Sequence, residues 1–210
     1  MTAAPDDGVT DVQPKRELPH DAPPTPTPTP TAATPLPRPE GDAAAATRPT
    51  ARFMRAHPAH LIALAFGAGL SPKAAGTVGT LWAWLVWALL LAGQPPAVQG
   101  AVIALGLLLS WWAATVTARH LHSADPGAIV ADEVIAFWIV LWLVTPASLG
   151  VQLAAFALFR FFDAVKPGPV GWADRLLHHA RGWAGGFGIL LDDLVAAFCT
   201  LLVIALWRAW

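Results

Sequence analysis

The sequence predicts an all-α integral membrane helical bundle behind a disordered N-terminal tail. Three observations lead there. Hydrophobic residues make up 55% of the 210 and mean hydropathy is +0.51, too apolar for an ordinary soluble domain. Composition breaks near residue 50, from Pro, Thr, Ala and Asp to long apolar runs. Tryptophan is abundant and tyrosine absent, and Trp82, Trp84, Trp111, Trp112, Trp142, Trp207 and Trp210 flank or end those runs, as interfacial anchors do.

Residues 1–50 hold few large apolar side chains and the run "PPTPTPTP". Such a segment cannot bury enough surface to offset the entropy of ordering, so it reads as a partly polyproline tail. It is either a tether or dispensable. It has no apolar core of a secretory signal.

Residues 52–210 read as the membrane domain. Apolar segments cover 78–93, 97–118, 129–145, 149–165 and 188–208, several near the ~20 residues a span requires. The stretch 59–70 is too short to span and belongs at the interface or re-enters. "GQPP" and "TPASLG" are uncharged, whereas the other connections carry Arg52, Arg55 and Lys73, then Arg119, then Lys166, Arg175 and Arg181. Basic loops favour the cytoplasm, so five crossings place the tail inside and the C-terminus outside.

Net charge is −1, with no basic stripe or nucleic-acid-binding signature, so a nucleic-acid partner is not expected. The single cysteine, Cys199, lies in an apolar run and has no internal disulfide partner.

On this topology Asp125, Asp132, Glu133, Asp163, Asp174, Asp192 and Asp193 all fall on the cytoplasmic side. A carboxylate immersed at a helix centre costs about 2.5–3.5 kcal/mol, and adjacent carboxylates repel, so a cation or basic partner is the natural compensation. Asp125 before Pro126 reads as a helix N-cap, with Asp132 two turns on along the same face. Asp132 and Glu133 are too deep for a cap; a hydrated, snorkelling pair is the plain alternative. Arg160, Asp163 and Lys166 at i, i+3 and i+6 read as a basic helix end or a local ion-paired ladder, closed by Pro167. Asp174 reads as a surface charge. Asp192 and Asp193 read as lying near a helix N-terminus, after glycines free to adopt positive φ. One aspartate suits that position; two are not needed. Ser71 before Pro72 reads as another cap. Gly76, Thr77, Gly79 and Thr80 offer backbone or hydroxyl contacts to a phosphate, or simply close helix packing. Together, hard oxygen donors with basic residues suit Mg²⁺ and a phosphate group.

Four stretches, "GAGLSPKAAGTVGTL" (67–81), "DPGAIVADEVIAFW" (125–138), "FALFRFFDAVKPGPVGWAD" (156–174) and "GGFGILLDDLVA" (185–196), resemble the phosphatidylglycerophosphatase A family in order and spacing. The resemblance spans roughly residues 62–200. It implies a multi-pass bacterial inner-membrane enzyme with a cytoplasmic site. This enzyme would use Mg²⁺ to convert phosphatidylglycerol phosphate, a phospholipid substrate, to phosphatidylglycerol. On this reading Asp132, Glu133, Asp192 and Asp193 hold the metal, and Asp163, Arg160 and Lys166 are catalytic. Ser71, Thr77, Gly79, Thr80, Gly185 and Gly186 bind the phosphate or head group.

Other phosphatase chemistries lack their residues. Cys199 stands alone, there is no Asp-x-Asp, and the seven histidines form no phosphohistidine signature. Metal-assisted attack by water or by a carboxylate is left. The alternative reading is a membrane ion-binding or transport protein with a carboxylate cluster on one side.

Overall fold

The structure is a computed structural model describing Thr2 and residues 48–210. The expected tail therefore lies almost wholly outside the described residues. Among those residues every regular element is a helix.

Two short helices, α1 (Ala51–Arg55) and α2 (Pro58–Ala63), lead into a 3₁₀ segment, Ala65–Leu70. His57 caps α2, its Nδ1 accepting the Ala59 N–H at 3.1 Å. Phe66 (φ 56°) and Gly67 (φ 118°) turn the chain back. This is the stretch read as too short to span. It packs on the loop before α5: Val130 N–H donates to Ala63 O at 2.9 Å, and a Cβ on Gly69 would fall 2.0 Å from Ala128 O.

The bundle proper is α3 (Ala75–Val86, extended by a π turn, Trp87–Leu91), α4 (Pro96–His120), α5 (Ala131–Val144), α6 (Leu149–Val165), α7 (Pro169–Leu176) and α8 (Gly182–Ala209). α5 is central, with nine of its 14 residues buried. Phe137, Phe159, Trp87 and Ile204 meet in the main core; a second apolar cluster joins α2, α4 and α8 through Ala63, Ala113, Ala114 and Leu190. Polar side chains pin the layers. Trp138 Nε1 donates to Ala83 O at 2.9 Å, and Trp84 Nε1 to Gln152 Oε1 at 2.8 Å.

Outward faces carry exposed Leu89, Leu105, Leu108, Leu153, Leu202 and Leu206. That surface suits hydrocarbon, where helices satisfy their own backbone. α4 (25 residues) and α8 (28 residues) are long and apolar enough to cross a bilayer. α5 rises only ~21 Å at 1.5 Å per residue, short of a ~30 Å hydrocarbon core. Its start is reached by the loop 121–130, which folds against the 3₁₀ segment at the same end of the bundle.

Two expected caps are corrected here. Asp125 does not begin a helix: α5 starts at Ala131 after an irregular loop, so Asp125 and Asp132 share no helical face. Ser71 does not cap α3; its hydroxyl donates to Lys73 O at 2.7 Å, and Ala74 (φ 49°) precedes the helix. Both Ser-Pro and Asp-Pro also suit turns, and here the turn reading wins.

Candidate active site

Three helices bring their charges to one point. Asp132 and Glu133 lie in the first turn of α5, Arg160 and Asp163 in the last turns of α6, and Asp192 and Asp193 on α8. Asp132, Glu133 and Asp193 each present a carboxylate oxygen within 4.8 Å of the other two. Asp163, Asp192 and Asp193 form a second such group, so Asp193 belongs to both.

Asp192 and Asp193 are not at a helix start, as expected, but ten and eleven residues inside α8. The helix dipole therefore does not account for them, since its effect fades within the first turn. Counting ~20 residues back from the exposed Trp207 reaches about residue 187, so both acids sit inside the apolar stretch. The glycines before them are helical. They serve approach instead: a Cβ on Gly186 would stand 1.9 Å from Thr115 Oγ1 on α4, and one on Gly188 2.8 Å from Leu177 Cβ.

The cations do not treat the acids alike. Arg160 Nη1 lies 2.6 Å from Asp163 Oδ2 but 4.0 Å from Glu133 Oε1. Lys166, left-handed at φ 50° where α6 ends, turns away from Asp163 and donates to Asp174 Oδ1 (2.5 Å) and Asp192 Oδ2 (2.6 Å). Burial alone would lower the Lys166 pKa, but the hydrogen bonds and charges of Asp174 and Asp192 outweigh it and raise it above the usual lysine range. Asp163 and Asp192 are thus neutralised by direct partners. Asp132, Glu133 and Asp193 are not. Asp132 Oδ1 and Glu133 Oε2 are buried with no hydrogen-bond partner among the described residues.

That difference tests the fit to a metal. Six carboxylates (Asp132, Glu133, Asp163, Asp174, Asp192, Asp193) face two cations, four negative charges in excess when all are ionised. Buried charge without a partner is strongly unfavourable. An all-oxygen donor set with two orphaned oxygens is what a hard divalent cation requires. Asp132, Glu133 and Asp193 fit one.

Two residues matter more here than their sequence reading allowed. Asp174, read as a surface charge, completes the Lys166 bridge; its signal was its place about one turn before the "HH" loop on an amphipathic α7. Gly76 makes room for the site: a Cβ there would meet Glu133 Oε1 at 2.3 Å and both Arg160 Nη atoms at 3.1 Å. His178 is exposed but lines a small cleft with Asp174 and Asp192.

The residues expected to hold phosphate or head group fall in three places. Thr80 adjoins the acids, its hydroxyl donating to Gly76 O at 2.9 Å and accepting from Arg160 Nη1 at 3.3 Å. Thr77 is half-buried in the first turn of α3, and Gly79 packs on Val130. Ser71 lines a separate cavity of about 370 Å³ with Asp125 and Ser123. Gly185 and Gly186 line another, of about 220 Å³, between α4 and α8.

Residues 61–208 match the family described as Phosphatidylglycerophosphatase A. The chain belongs to the phosphatidylglycerophosphatase A family. Two relatives bear that name. The Escherichia coli protein is 37% identical over 145 residues, 69% of this chain and 80% of its own length. The Haemophilus influenzae protein is 35% identical over 162 residues, 77% of this chain and 96% of its own. A Bacteroides thetaiotaomicron protein, 35% identical over 153 residues (70% and 92% of the two chains), is named provisionally as a phosphatidylinositol-3-phosphatase. No solved structure matches the chain.

Proposed function

We propose that this protein removes the terminal phosphate of phosphatidylglycerol phosphate, yielding phosphatidylglycerol and phosphate, at the cytoplasmic face of a bacterial inner membrane and with Mg²⁺. Membership of the family supports the reaction. The observation that carries the metal is the pair of orphaned, buried oxygens on Asp132 and Glu133 beside Asp193. Basic connections at the same end of the bundle, and uncharged ones at the other, support the orientation.

Asp132, Glu133 and Asp193 would hold Mg²⁺; Asp192, expected as a fourth ligand, would stand beside them through Asp193 while tied to Lys166. Bound there, the ion would supply Lewis-acid polarisation of the phosphoryl oxygens. The chain's own residues do the rest. Arg160 faces the acids and stabilises charge on the phosphoryl oxygens as it develops. Asp163, held at one oxygen by Arg160, takes a proton from the attacking water. The water oxygen bonds to phosphorus, the bond from phosphorus to the glycerol oxygen breaks, and that oxygen takes the proton that Asp163 received. Thr80 and Gly76 fix Arg160 and leave space for it.

The test is phosphate release from phosphatidylglycerol phosphate by purified protein, with and without Mg²⁺, for the wild type and for Asp192→Asn and Asp193→Asn. Each variant should stay folded and membrane-inserted, with turnover reduced by about 10²–10³. Near-normal turnover in both, with the same Mg²⁺ requirement, would make the pair structural. Ion flux in liposomes without phosphate release would favour the ion-binding or transport alternative.

A further inference from the structure

The 220 Å³ cavity between the end of α4 and the start of α8 lies outside the acid cluster, and its lining has the opposite charge. Arg119, His122 and Ser123 enter it from one side, Arg181, Gly185 and Gly186 from the other, and no carboxylate lines it. Neither arginine forms a salt bridge among the described residues, in contrast to Arg160 and Lys166. Arg119 and Arg181 are both exposed and line one cavity, so an anion there meets two positive charges and no negative one. The cavity floor reinforces the point. α8 begins there with Arg181 at its N-cap and no side-chain cap, so the first-turn N–H groups point to the cavity end of the helix.

Depth and continuity identify the anion. Trp111 Nε1 donates to Trp183 O at 2.7 Å, and the Trp111 ring meets Trp183 at 5.6 Å and Phe187 at 5.7 Å. Trp183 is 55% exposed, so this cluster is an interfacial aromatic belt on the α4–α8 flank. Thr115, one turn from Trp111, also lines the cavity. An aromatic cluster of this kind suits the membrane–water interface, the level at which lipid phosphates lie. Gly185 belongs both to this cavity and to the small cleft that holds Asp174 and Asp192. From Gly185 to Asp192 is seven residues, about 10 Å along the helix. That distance fits two phosphates joined by a glycerol, one at each end.

We propose that Arg119 and Arg181 hold the phosphodiester that is not cleaved, while the terminal phosphate lies at the acid cluster. This inference rests on the reaction proposed above and adds how the substrate is selected. A phosphomonoester carried directly on diacylglycerol has no second phosphate to place here. Phosphatidylglycerol, the product, has the diester alone and binds the cavity as a competitor.

The experiment uses the full chain in neutral detergent micelles, so that bulk attraction to an anionic surface is absent. Arg119→Gln with Arg181→Gln is compared with Arg175→Gln, which removes a nearby charge outside the cavity. The double variant should lose at least about tenfold in kcat/KM for phosphatidylglycerol phosphate, mainly through KM, two charge-assisted contacts being removed. The inhibition constant of phosphatidylglycerol should rise by a similar factor, and Arg175→Gln should change neither. An unchanged inhibition constant in the double variant would overturn the proposal, as would an equal loss in Arg175→Gln. A loss confined to kcat would also overturn it. If the wild type releases no phosphate from this lipid, the reaction itself is wrong. If it does and the double variant matches it, only the cavity assignment fails.

Discussion

The ammonium of Lys166 lies 2.6 Å from Oδ2 of Asp192, tying the end of α6 to the middle of α8. Asp174 takes a second hydrogen bond from the same ammonium at 2.5 Å. Lys166→Gln keeps most of the reach but leaves two carboxylates without their cation. We expect turnover to fall by about 10². Asp174→Asn leaves the Lys166–Asp192 pair in place and should have the smaller effect. The Lys166 pKa is raised in the folded state, so the pairing stabilises the fold fully below the ordinary lysine value of about 10.4 and is lost only as pH rises beyond it. The deficit of Lys166→Gln should therefore be constant from about pH 6 to 9. A deficit that vanished within that range would assign the titration to another group.

Gly76 is a site residue through what it lacks. Adding a Cβ there meets Glu133 Oε1 and the Arg160 guanidinium, whereas one at Gly93 meets nothing within 4 Å. Ala is favoured over Gly in a helix by up to about 1 kcal/mol, so Gly76→Ala should not weaken α3 by propensity. We expect normal yield of folded protein, turnover reduced about tenfold or more, and no effect from Gly93→Ala. Equal activity in the two variants would show that Glu133 and Arg160 move aside freely.

The helices were legible because apolar runs of their length have few alternatives. The run expected at 97–118 is Pro96–His120, and that at 149–165 is Leu149–Val165. Their starts were less legible where glycine or an X-Pro pair intervened. "GGFG" before Asp192 reads equally as a turn or as a close-packed helix, because glycine serves both; Thr115 on another helix decides it, and nothing local reveals Thr115. The acids of the site were legible because doubled carboxylates in an apolar sequence demand compensation. Which of them stay unneutralised was not. That depends on Lys166 turning left-handed to face Asp174 and Asp192, a matter of tertiary geometry.

A histidine pair gives an acid-side prediction away from the site. His60, 4% exposed, has Nδ1 2.9 Å from Phe53 O and Nε2 2.7 Å from His120 Nδ1; the rings of His57 and His120 face it, and Phe53 stacks on it. Burial lowers the His60 pKa, the Phe53 carbonyl opposes this, and His120 and His57 add to the lowering. With the folded pKa depressed, the unfolded chain binds more protons below about pH 6.5, so stability is full above that pH and declines as pH falls. Melting of the solubilised protein should therefore begin to drop below about pH 6.5. His60→Gln should melt lower at pH 7.5 but with a flatter acid slope than the wild type. Identical slopes would remove His60 from the account.

Asp132 and Asp163 separate metal binding from charge pairing. Asp132 has a buried oxygen with no partner, whereas Asp163 is held by Arg160 at 2.6 Å. If Asp132, Glu133 and Asp193 hold the cation, Mg²⁺ stabilises the folded protein by mass action, about 2.7 kcal/mol at a hundredfold excess over its dissociation constant. For a chain of this size that is a rise of several degrees in melting temperature. Asp132→Asn removes both a ligand and a repulsive buried charge. We expect it to melt higher than the wild type without metal and to gain little from adding Mg²⁺. Asp163→Asn should lose turnover by about 10² or more yet keep most of the Mg²⁺ shift, because its carboxylate is already neutralised by Arg160. The thermal shift needs no substrate, so it reads the cation apart from catalysis. The reverse pattern, with the shift kept in Asp132→Asn and lost in Asp163→Asn, would move the metal to the group formed by Asp163, Asp192 and Asp193.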